Sequence, residues 1–212
     1  MAKFTPPVSF DTGVANIVAM YDSASPADRV AGTAWYRDAH DAATRIQSGT
    51  GLPMVTVVGV LAALSPRNKW SRNVADAAGM AHAFREAGVD AAMAVKVCTF
   101  NQNKRKAATI LQGVGSLGDV HKVLKGQKLR SFFQCIFSAG QTGDCCIDGH
   151  AVSIALGERI PLGKGDKRHS LSAKRYAYYQ SLYAAAGAAR GVSACTMQAV
   201  TWTAYRTQNG IA

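Results

Sequence analysis

The stretch PMVTVVGVLAALS at residues 53–65 limits the fold more than any other feature, because it is apolar on every side. Its β-branched first half favours a strand, whereas its length and its ending in Leu61–Leu64 favour a helix. A helix that is apolar all round has to be buried on all sides. We therefore predict a central helix here, with the remaining chain packed around it.

Amphipathic helical patterns occupy most of the chain on both sides of this stretch. Alanine is abundant and proline is scarce, and both features favour helices. The 212 residues are enough for one good core but too few for two large domains. We therefore predict an all-α fold and a single compact helical unit over residues 1–212. The clearest patterns are DTGVANIVAMYDSA, SPADRVAGTAWYRDAHDAATRIQSG, VADAAGMAHAFREAG, AAMAVKVC, NKRKAATILQG, AKRYAYYQSLYAAAGAA and SACTMQAVTWTAYRTQ.

The chain is strongly basic, with 24 Lys and Arg against 13 Asp and Glu and a net charge of +11. Such a charge favours a polyanionic partner, either nucleic acid or an anionic membrane surface. The basic residues are scattered over many elements instead of lining one amphipathic helix, which argues against the membrane. No stretch approaches the roughly 18 apolar residues of a membrane span, and MAKFTPPVSF lacks the apolar part of a signal peptide. We expect a cytoplasmic protein.

The five cysteines do not form a pattern typical of a metal site. Their number is odd, no CxxC pair is present, and the neighbours Cys145 and Cys146 cannot easily converge on one ion. We predict free thiols in a reducing compartment, no metal site and no cofactor.

Four segments follow one another in an informative order: LAALSPRNKWSRN, NKRKAATIL, LKGQKLRSFFQCIFSAG and IDGHAVSIALG. This order resembles the helix-hairpin-helix DNA glycosylase superfamily, which includes endonuclease III, the adenine mismatch glycosylase and 8-oxoguanine glycosylase. It is also similar to small members of that superfamily in bacteriophage genomes, which carry similar ALSPRNKW and IDGHA segments. The resemblance covers about Val57 to Leu156. It implies a two-lobed helical fold with a degenerate helix-hairpin-helix, a core at about residues 55–160, and flanking helices that complete the second lobe.

The resemblance assigns the essential aspartate of the superfamily to Asp148, in the segment IDGHA. A carboxylate in that place stabilises the positive charge that builds up on the sugar when an N-glycosidic bond breaks, or activates the attacking water. Aspartate is also a favoured N-cap, so Asp148 has a purely structural alternative. His150 matches a histidine that some members place near the DNA backbone.

The segment LKGQK stands where the superfamily has its hairpin. Lys125, Gly126 and Gln127 would present backbone N–H groups and positive charge to a DNA phosphate. An ungapped match puts Arg130 at the position of the nucleophilic lysine of bifunctional members, whereas a hairpin shorter by two residues puts Lys128 there. A lysine nucleophile forms a Schiff base with the sugar. Alternatively, Lys128 and Arg130 only contact phosphates.

The loop SPRNKW matches the place where the superfamily inserts a side chain into the DNA stack. Arg67 and Asn68 stand at that position, followed by Lys69 and Trp70. Enzymes that act on a base turn its nucleotide out of the duplex and fill the gap with side chains. Alternatively, Trp70 closes the core and RNKWSR is a solvated loop.

Three functions agree with these features. The leading hypothesis is a DNA-binding, base-flipping enzyme of the glycosylase type that hydrolyses the N-glycosidic bond of a modified or mismatched base in double-stranded DNA. The first alternative is a phage DNA base-hypermodification enzyme, which transfers an amino acid or amine to an activated thymine derivative on the same scaffold. The second is a non-catalytic DNA-binding protein, whose affinity would fall steeply with salt.

Overall fold

The computed structural model describes residues 5–113, 116–160 and 170–211, and these residues form ten α-helices and no strand. The prediction of an all-α fold is confirmed. Within the described residues, no helix combines the length and the apolar character that crossing a bilayer requires. The helices are α1 Phe10–Asp22, α2 Pro26–Thr50, α3 Met54–Leu64, α4 Trp70–Ala94, α5 Asn101–Gly113, α6 Leu117–Val123, α7 Gln127–Phe137, α8 Gly149–Leu156, α9 Ala173–Ala188 and α10 Ala194–Gln208.

The chain divides into two compact units. Unit 1 consists of Met1–Tyr36 and Gly140–Ala212, and unit 2 consists of Arg37–Ala139. The division falls within α2, so the first part of this helix belongs to unit 1 and the remainder to unit 2. The candidate site residues are therefore distributed over both units.

In unit 2, α3 is the central helix, as the sequence predicts. Every residue from Thr56 to Leu64 is buried, and α4, α5, α6 and α7 all pack against this helix. Gly59 lets two of these neighbours approach closely, because a Cβ atom there would lie 3.0 Å from Ile110 and 3.4 Å from Val120. An apolar helix without a polar face thus finds partners on all sides, which outweighs the β-branched propensity of its first residues.

Unit 1 is built from α1, α8, α9, α10 and the first part of α2. Its core contains Ile17 of α1, Val152 of α8 and Met197 of α10, together with the α9 tyrosines Tyr179 and Tyr183. Large aromatic side chains contribute much buried area in such small cores. Because α8 packs against α1, α9 and α10, the start of α8 is held from several directions.

Helix α4 is interrupted at Ala87 and Gly88. Gly88 has φ 79°, a left-handed conformation that glycine adopts without steric cost, so the break falls between two helical patterns of the sequence. The second pattern, AAMAVKVC, is predicted to be helical to Cys98, which is wrong beyond Ala94. The physical reason is that the Cys98 N–H is bound by the Asp76 carboxylate, not by a helical carbonyl.

Several helices begin with a capping side chain, but α3, α4 and α7 do not. The N-cap residues of α1, α6, α8, α9 and α10 each accept a hydrogen bond from the backbone three residues on; they are Ser9, Ser116, Asp148, Ser172 and Ser193. At α4 and α7 the N-cap residues are Lys69 and Gly126, which make no such bond. The first N–H groups of these two helices therefore lack a capping side chain, and both helices follow basic segments of unit 2.

Candidate active site in unit 1 and candidate nucleic-acid interface in unit 2

Both carboxylate oxygens of Asp148 accept hydrogen bonds. Oδ1 accepts from the Ala151 backbone N–H at 2.9 Å, which makes Asp148 the N-cap of α8. Oδ2 accepts from the indole Nε1–H of Trp202 in α10 at 3.1 Å. The N-cap role therefore accounts for only one of the two carboxylate oxygens of Asp148. The second bond orients the carboxylate against a helix 54 residues further along the chain.

The Trp202 indole that binds this carboxylate contacts a second indole and a guanidinium, and all three side chains are half-buried. The Trp202 ring meets the edge of the Trp35 ring, with 6.0 Å between the ring centres. The guanidinium carbon of Arg206 lies 4.3 Å above the Trp202 ring, which is a cation–π contact. The group formed by Asp148, Trp35, Trp202 and Arg206 is called the indole cluster below. It combines a fixed anion with flat aromatic surface that is partly open to solvent.

His150 lies in the first turn of α8, two residues after Asp148, and is half-buried. Its ring is tilted against the ring of Tyr205 in α10, at 5.4 Å between centres. Like Asp148, it contacts α10, so α10 positions both residues that the resemblance selects in this segment.

Tyrosines of α9 hold the chain on both sides of Asp148. The Tyr176 hydroxyl accepts from the Ile147 N–H at 3.0 Å, and the Tyr183 hydroxyl donates to the Ala151 carbonyl at 3.1 Å. Burial raises the pKa of the Tyr183 phenol well above its ordinary value, because the phenolate would be desolvated in the core. The backbone that carries the carboxylate is thus anchored to the core of unit 1.

In unit 2, the loop between α3 and α4 is held by a buried carboxylate. Asp76, only 4% exposed, accepts hydrogen bonds from Asn68 Nδ2 at 3.0 Å, from Arg72 Nε at 3.0 Å and from the Cys98 N–H at 2.7 Å. The same Asn68 amide group lies 3.4 Å from the Leu64 carbonyl at the end of α3. The Asn68 side chain therefore binds the loop to its own unit.

Arg67, at the tip of this loop, has a different environment. Its φ of 57° is left-handed, which costs a residue other than glycine about 1–2 kcal/mol. The side chain is exposed, and its guanidinium carbon lies 5.3 Å from the centre of the exposed Phe100 ring. Strained backbone persists where the surrounding contacts determine it, and such positions cluster at functional sites.

Lys69 is exposed and Trp70 is half-buried at the start of α4. The Trp70 ring meets the edge of the Phe132 ring of α7, with 6.4 Å between centres. This contact agrees with the alternative in which Trp70 closes packing between elements of unit 2. The side chain still keeps part of its surface open to solvent.

Helices α6 and α7 are joined by the three residues Leu124, Lys125 and Gly126. Lys125, Gly126, Gln127 and Lys128 are all exposed. Arg130 instead donates Nε to the Leu124 carbonyl and Nη2 to the His121 carbonyl, both at 2.7 Å. Its guanidinium therefore caps the end of α6 and fixes the turn, while the lysines beside it stay at the surface.

The charge of the chain is concentrated in unit 2. This unit contains 14 Lys and Arg against six Asp and Glu, whereas unit 1 contains 10 against seven. Unit 2 thus carries +8 of the net charge of +11. A polyanion is attracted mainly to unit 2.

The predicted site residues separate into two groups. Unit 1 contains Asp148 and His150, and unit 2 contains Arg67, Asn68, Lys69, Trp70, Lys125, Gly126, Gln127, Lys128 and Arg130. Sequence reasoning missed Trp35, Trp202, Arg206 and Phe100. The spacing of Trp202 and Arg206, one helical turn apart in α10, was a usable signal for their contact. The position of Asp148 beside them had no sequence signal.

Among the described residues, no group of three or more His, Cys, Asp or Glu side chains could hold a metal ion. The five cysteines are free thiols, and Cys98 is exposed while the other four are buried.

Together these features define an all-α protein with one strongly basic unit and one unit in which an indole N–H and a helix N-terminus fix a carboxylate. The chain belongs to a family of unknown function, DUF7178, which matches residues 2–209. No curated protein and no solved structure matches the chain.

Proposed function

We propose that the protein is a DNA-binding, base-flipping enzyme of the DNA glycosylase type, built on the two-lobed helical scaffold of that superfamily. It hydrolyses the N-glycosidic bond of a modified or mismatched base in double-stranded DNA. The observation that carries the proposal is the Asp148 carboxylate, held by both the α8 N-terminus and the N–H of the half-buried Trp202 indole, which in turn contacts the Trp35 ring.

The chemistry needs an anion that stays in place while positive charge develops on the sugar. Two hydrogen bonds fix the Asp148 carboxylate, so it does not have to reorient during the reaction. The carboxylate stabilises the cationic sugar or takes a proton from the attacking water. The C1′–N bond breaks, the base leaves with a proton, and the water oxygen bonds to C1′. The indoles of Trp35 and Trp202 offer flat surface to an extruded base.

In this proposal, unit 2 holds the DNA. Its net charge of +8 attracts the phosphates, and the uncapped start of α7 donates N–H groups to them beside exposed Lys125 and Lys128. We assign Lys128 to a phosphate contact because it is exposed, whereas a nucleophilic amine is activated by desolvation or by a neighbouring cation. Arg67 fills the gap left by the nucleotide, and Asn68 holds the loop that presents it. The site of action is the cytoplasm of a bacterial or phage-infected cell.

The test is a panel of labelled DNA duplexes that carry uracil, oxidised, alkylated or hypermodified bases, followed for free base and abasic product. We expect product from at least one duplex. Asp148→Asn should lower the rate at least about 100-fold while DNA affinity stays within about twofold, because the charge is removed and asparagine still caps a helix. The matched control is Asp38→Asn, which changes an exposed carboxylate and should leave the rate unchanged.

Three outcomes contradict the proposal. Full activity of Asp148→Asn refutes the assigned role of the carboxylate. A heavier nucleoside in treated DNA, detected by mass spectrometry in place of a released base, indicates transfer to the base and not hydrolysis. Tight DNA binding without any product from the panel indicates a non-catalytic DNA-binding protein.

A further inference from the structure

Phe100 and Arg67 form an exposed pair in unit 2, and the proposed reaction does not use Phe100. The Phe100 side chain is 55% exposed, which makes it one of four large apolar side chains that are exposed in the described part of the chain. The planar guanidinium of Arg67 lies over this ring, at 5.3 Å from the ring centre. A flat ring and the flat cation above it are therefore presented together to solvent.

Partly buried hydrogen bonds fix the backbone on both sides of this pair. The Thr99 hydroxyl donates to the Pro66 carbonyl at 2.9 Å, and the Cys98 N–H donates to the buried Asp76 carboxylate at 2.7 Å. The Phe100 carbonyl accepts from the first turn of α5. The loop before α4 and the segment before α5 are thus locked together, and the pair is positioned in advance of any ligand.

The surroundings of the pair are cationic. Lys69 and Lys96 are exposed on the same two segments. Asp76, the acid that binds Asn68 and the Cys98 N–H in these segments, is buried and paired with Arg72. A ligand for this surface should combine a flat π-system with nearby negative charge. A nucleotide within a nucleic-acid strand has both features, because each base has a stacking face and each link carries a phosphate.

We propose that the Arg67–Phe100 pair binds an unpaired nucleobase of a DNA strand. The base stacks on the exposed surface of this pair, while Lys69 and Lys96 contact the flanking phosphates. Because every base has a π-face, the pair selects for the unpaired state of the base and not for its identity. The inference rests on the proposed DNA binding but not on base excision.

The test measures affinity of the full chain for three labelled DNA duplexes by fluorescence anisotropy. One is fully paired, one contains a single bulged nucleotide, and one has the same bulge without a base. Phe100→Ala should weaken binding to the bulged duplex about tenfold and change the other two affinities by less than about twofold. Phe100→Trp should keep the preference, and Arg67→Lys, which retains charge without the flat guanidinium, should reduce it.

A 2-aminopurine at the bulge reports stacking directly, since its fluorescence falls when it stacks. We expect the parent protein, but not Phe100→Ala, to quench it. The matched control is Phe10→Ala, which removes another exposed phenylalanine, 45% exposed and located in unit 1, and should behave like the parent protein. Equal loss of affinity on all three duplexes, no loss at all, or unchanged quenching overturns the inference.

These readouts separate the two proposals. Selective loss with Phe100→Ala, in a protein that releases no base, supports the stacking site and refutes excision. Base release with no effect of Phe100→Ala refutes the stacking site alone. Absence of binding to all three duplexes refutes both.

Discussion

At the scale of single residues, Asp148 shows how one side chain combines a structural and a chemical role. Its N-cap bond is local, because the partner Ala151 is three residues away. Its bond to Trp202 joins the start of α8 to α10 and provides an acceptor for the indole N–H, a group that is usually hydrogen-bonded when buried. A hydrogen bond to a charged group stabilises a fold by about 1.5–3 kcal/mol, more than a bond between neutral groups.

We predict that Trp202→Phe and Asp148→Asn are energetically coupled. Trp202→Phe removes the N–H donor but keeps an aromatic ring, and Asp148→Asn removes the charged acceptor. A double-mutant cycle by urea denaturation should give a coupling free energy of about 1–2 kcal/mol. Trp35→Phe serves as the control, because it alters the ring contact with Trp202 but not the bond to Asp148, and its coupling to Asp148→Asn should be smaller. Coupling near zero for both pairs would show that the hydrogen bond from Trp202 to Asp148 contributes nothing to the free energy of unfolding.

At the scale of helices, one close approach determines where α10 lies within unit 1. A Cβ atom on Gly32 of α2 would lie 2.4 Å from the Val200 Cα atom, which is backbone and cannot rotate away. Glycine is required here for space. Since Trp202 follows Val200 by two residues, this contact also helps to set the distance between the indole and Asp148.

We predict that Gly32→Ala lowers the free energy of unfolding by about 2 kcal/mol or more, because the helices have to separate to admit the methyl group. In urea denaturation its midpoint should fall clearly below that of the parent chain. Gly79→Ala is the control: a Cβ there meets Val95 only at an ordinary 3.4 Å, so helix propensity should leave stability unchanged or raise it by up to about 1 kcal/mol. Equal effects of the two substitutions would contradict the close approach.

At the scale of the whole molecule, the two units differ in charge and in the composition of their cores. Unit 2 carries most of the positive charge around a central helix whose only polar side chain is Thr56. Unit 1 buries tyrosines, whose hydroxyl groups bond to backbone near the candidate carboxylate. The core of unit 1 therefore contains groups that ionise in alkali.

We predict that Tyr183 makes the stability of unit 1 sensitive to alkaline pH. Because burial raises the pKa of Tyr183 in the folded state, its stabilising contribution is complete below the ordinary tyrosine pKa of 10.0 and is lost as the pH rises above that value. Tyr183→Phe keeps the ring and cannot ionise, so it should show a smaller loss of stability between about pH 9 and 11 in thermal melts. It should also be less stable than the parent chain at neutral pH, because the bond to Ala151 is missing. If Tyr183→Phe loses as much stability as the parent chain over this pH range, the alkaline loss does not come from Tyr183.

Features that depend on neighbouring residues were open to prediction from the sequence. The burial of α3 follows from an apolar pattern without a polar face, and the break at Gly88 follows from a glycine between two helical patterns. Ser9 and Ser193 are local caps of their helices. Each of these features depends on contacts within a few residues, so it can be predicted from the local amino-acid sequence.

Contacts between distant segments were decided only by the tertiary structure. The sequence selected Asp148 through its motif, but the indole cluster exists because α8, α10 and the first part of α2 pack in unit 1. Likewise, Arg130 holds the turn between α6 and α7, and Phe100 meets Arg67 because Asp76 binds the segments that carry them. The physical reason is that a local pattern determines which face of a helix is buried, whereas the partner of each side chain depends on how all the buried faces fit together.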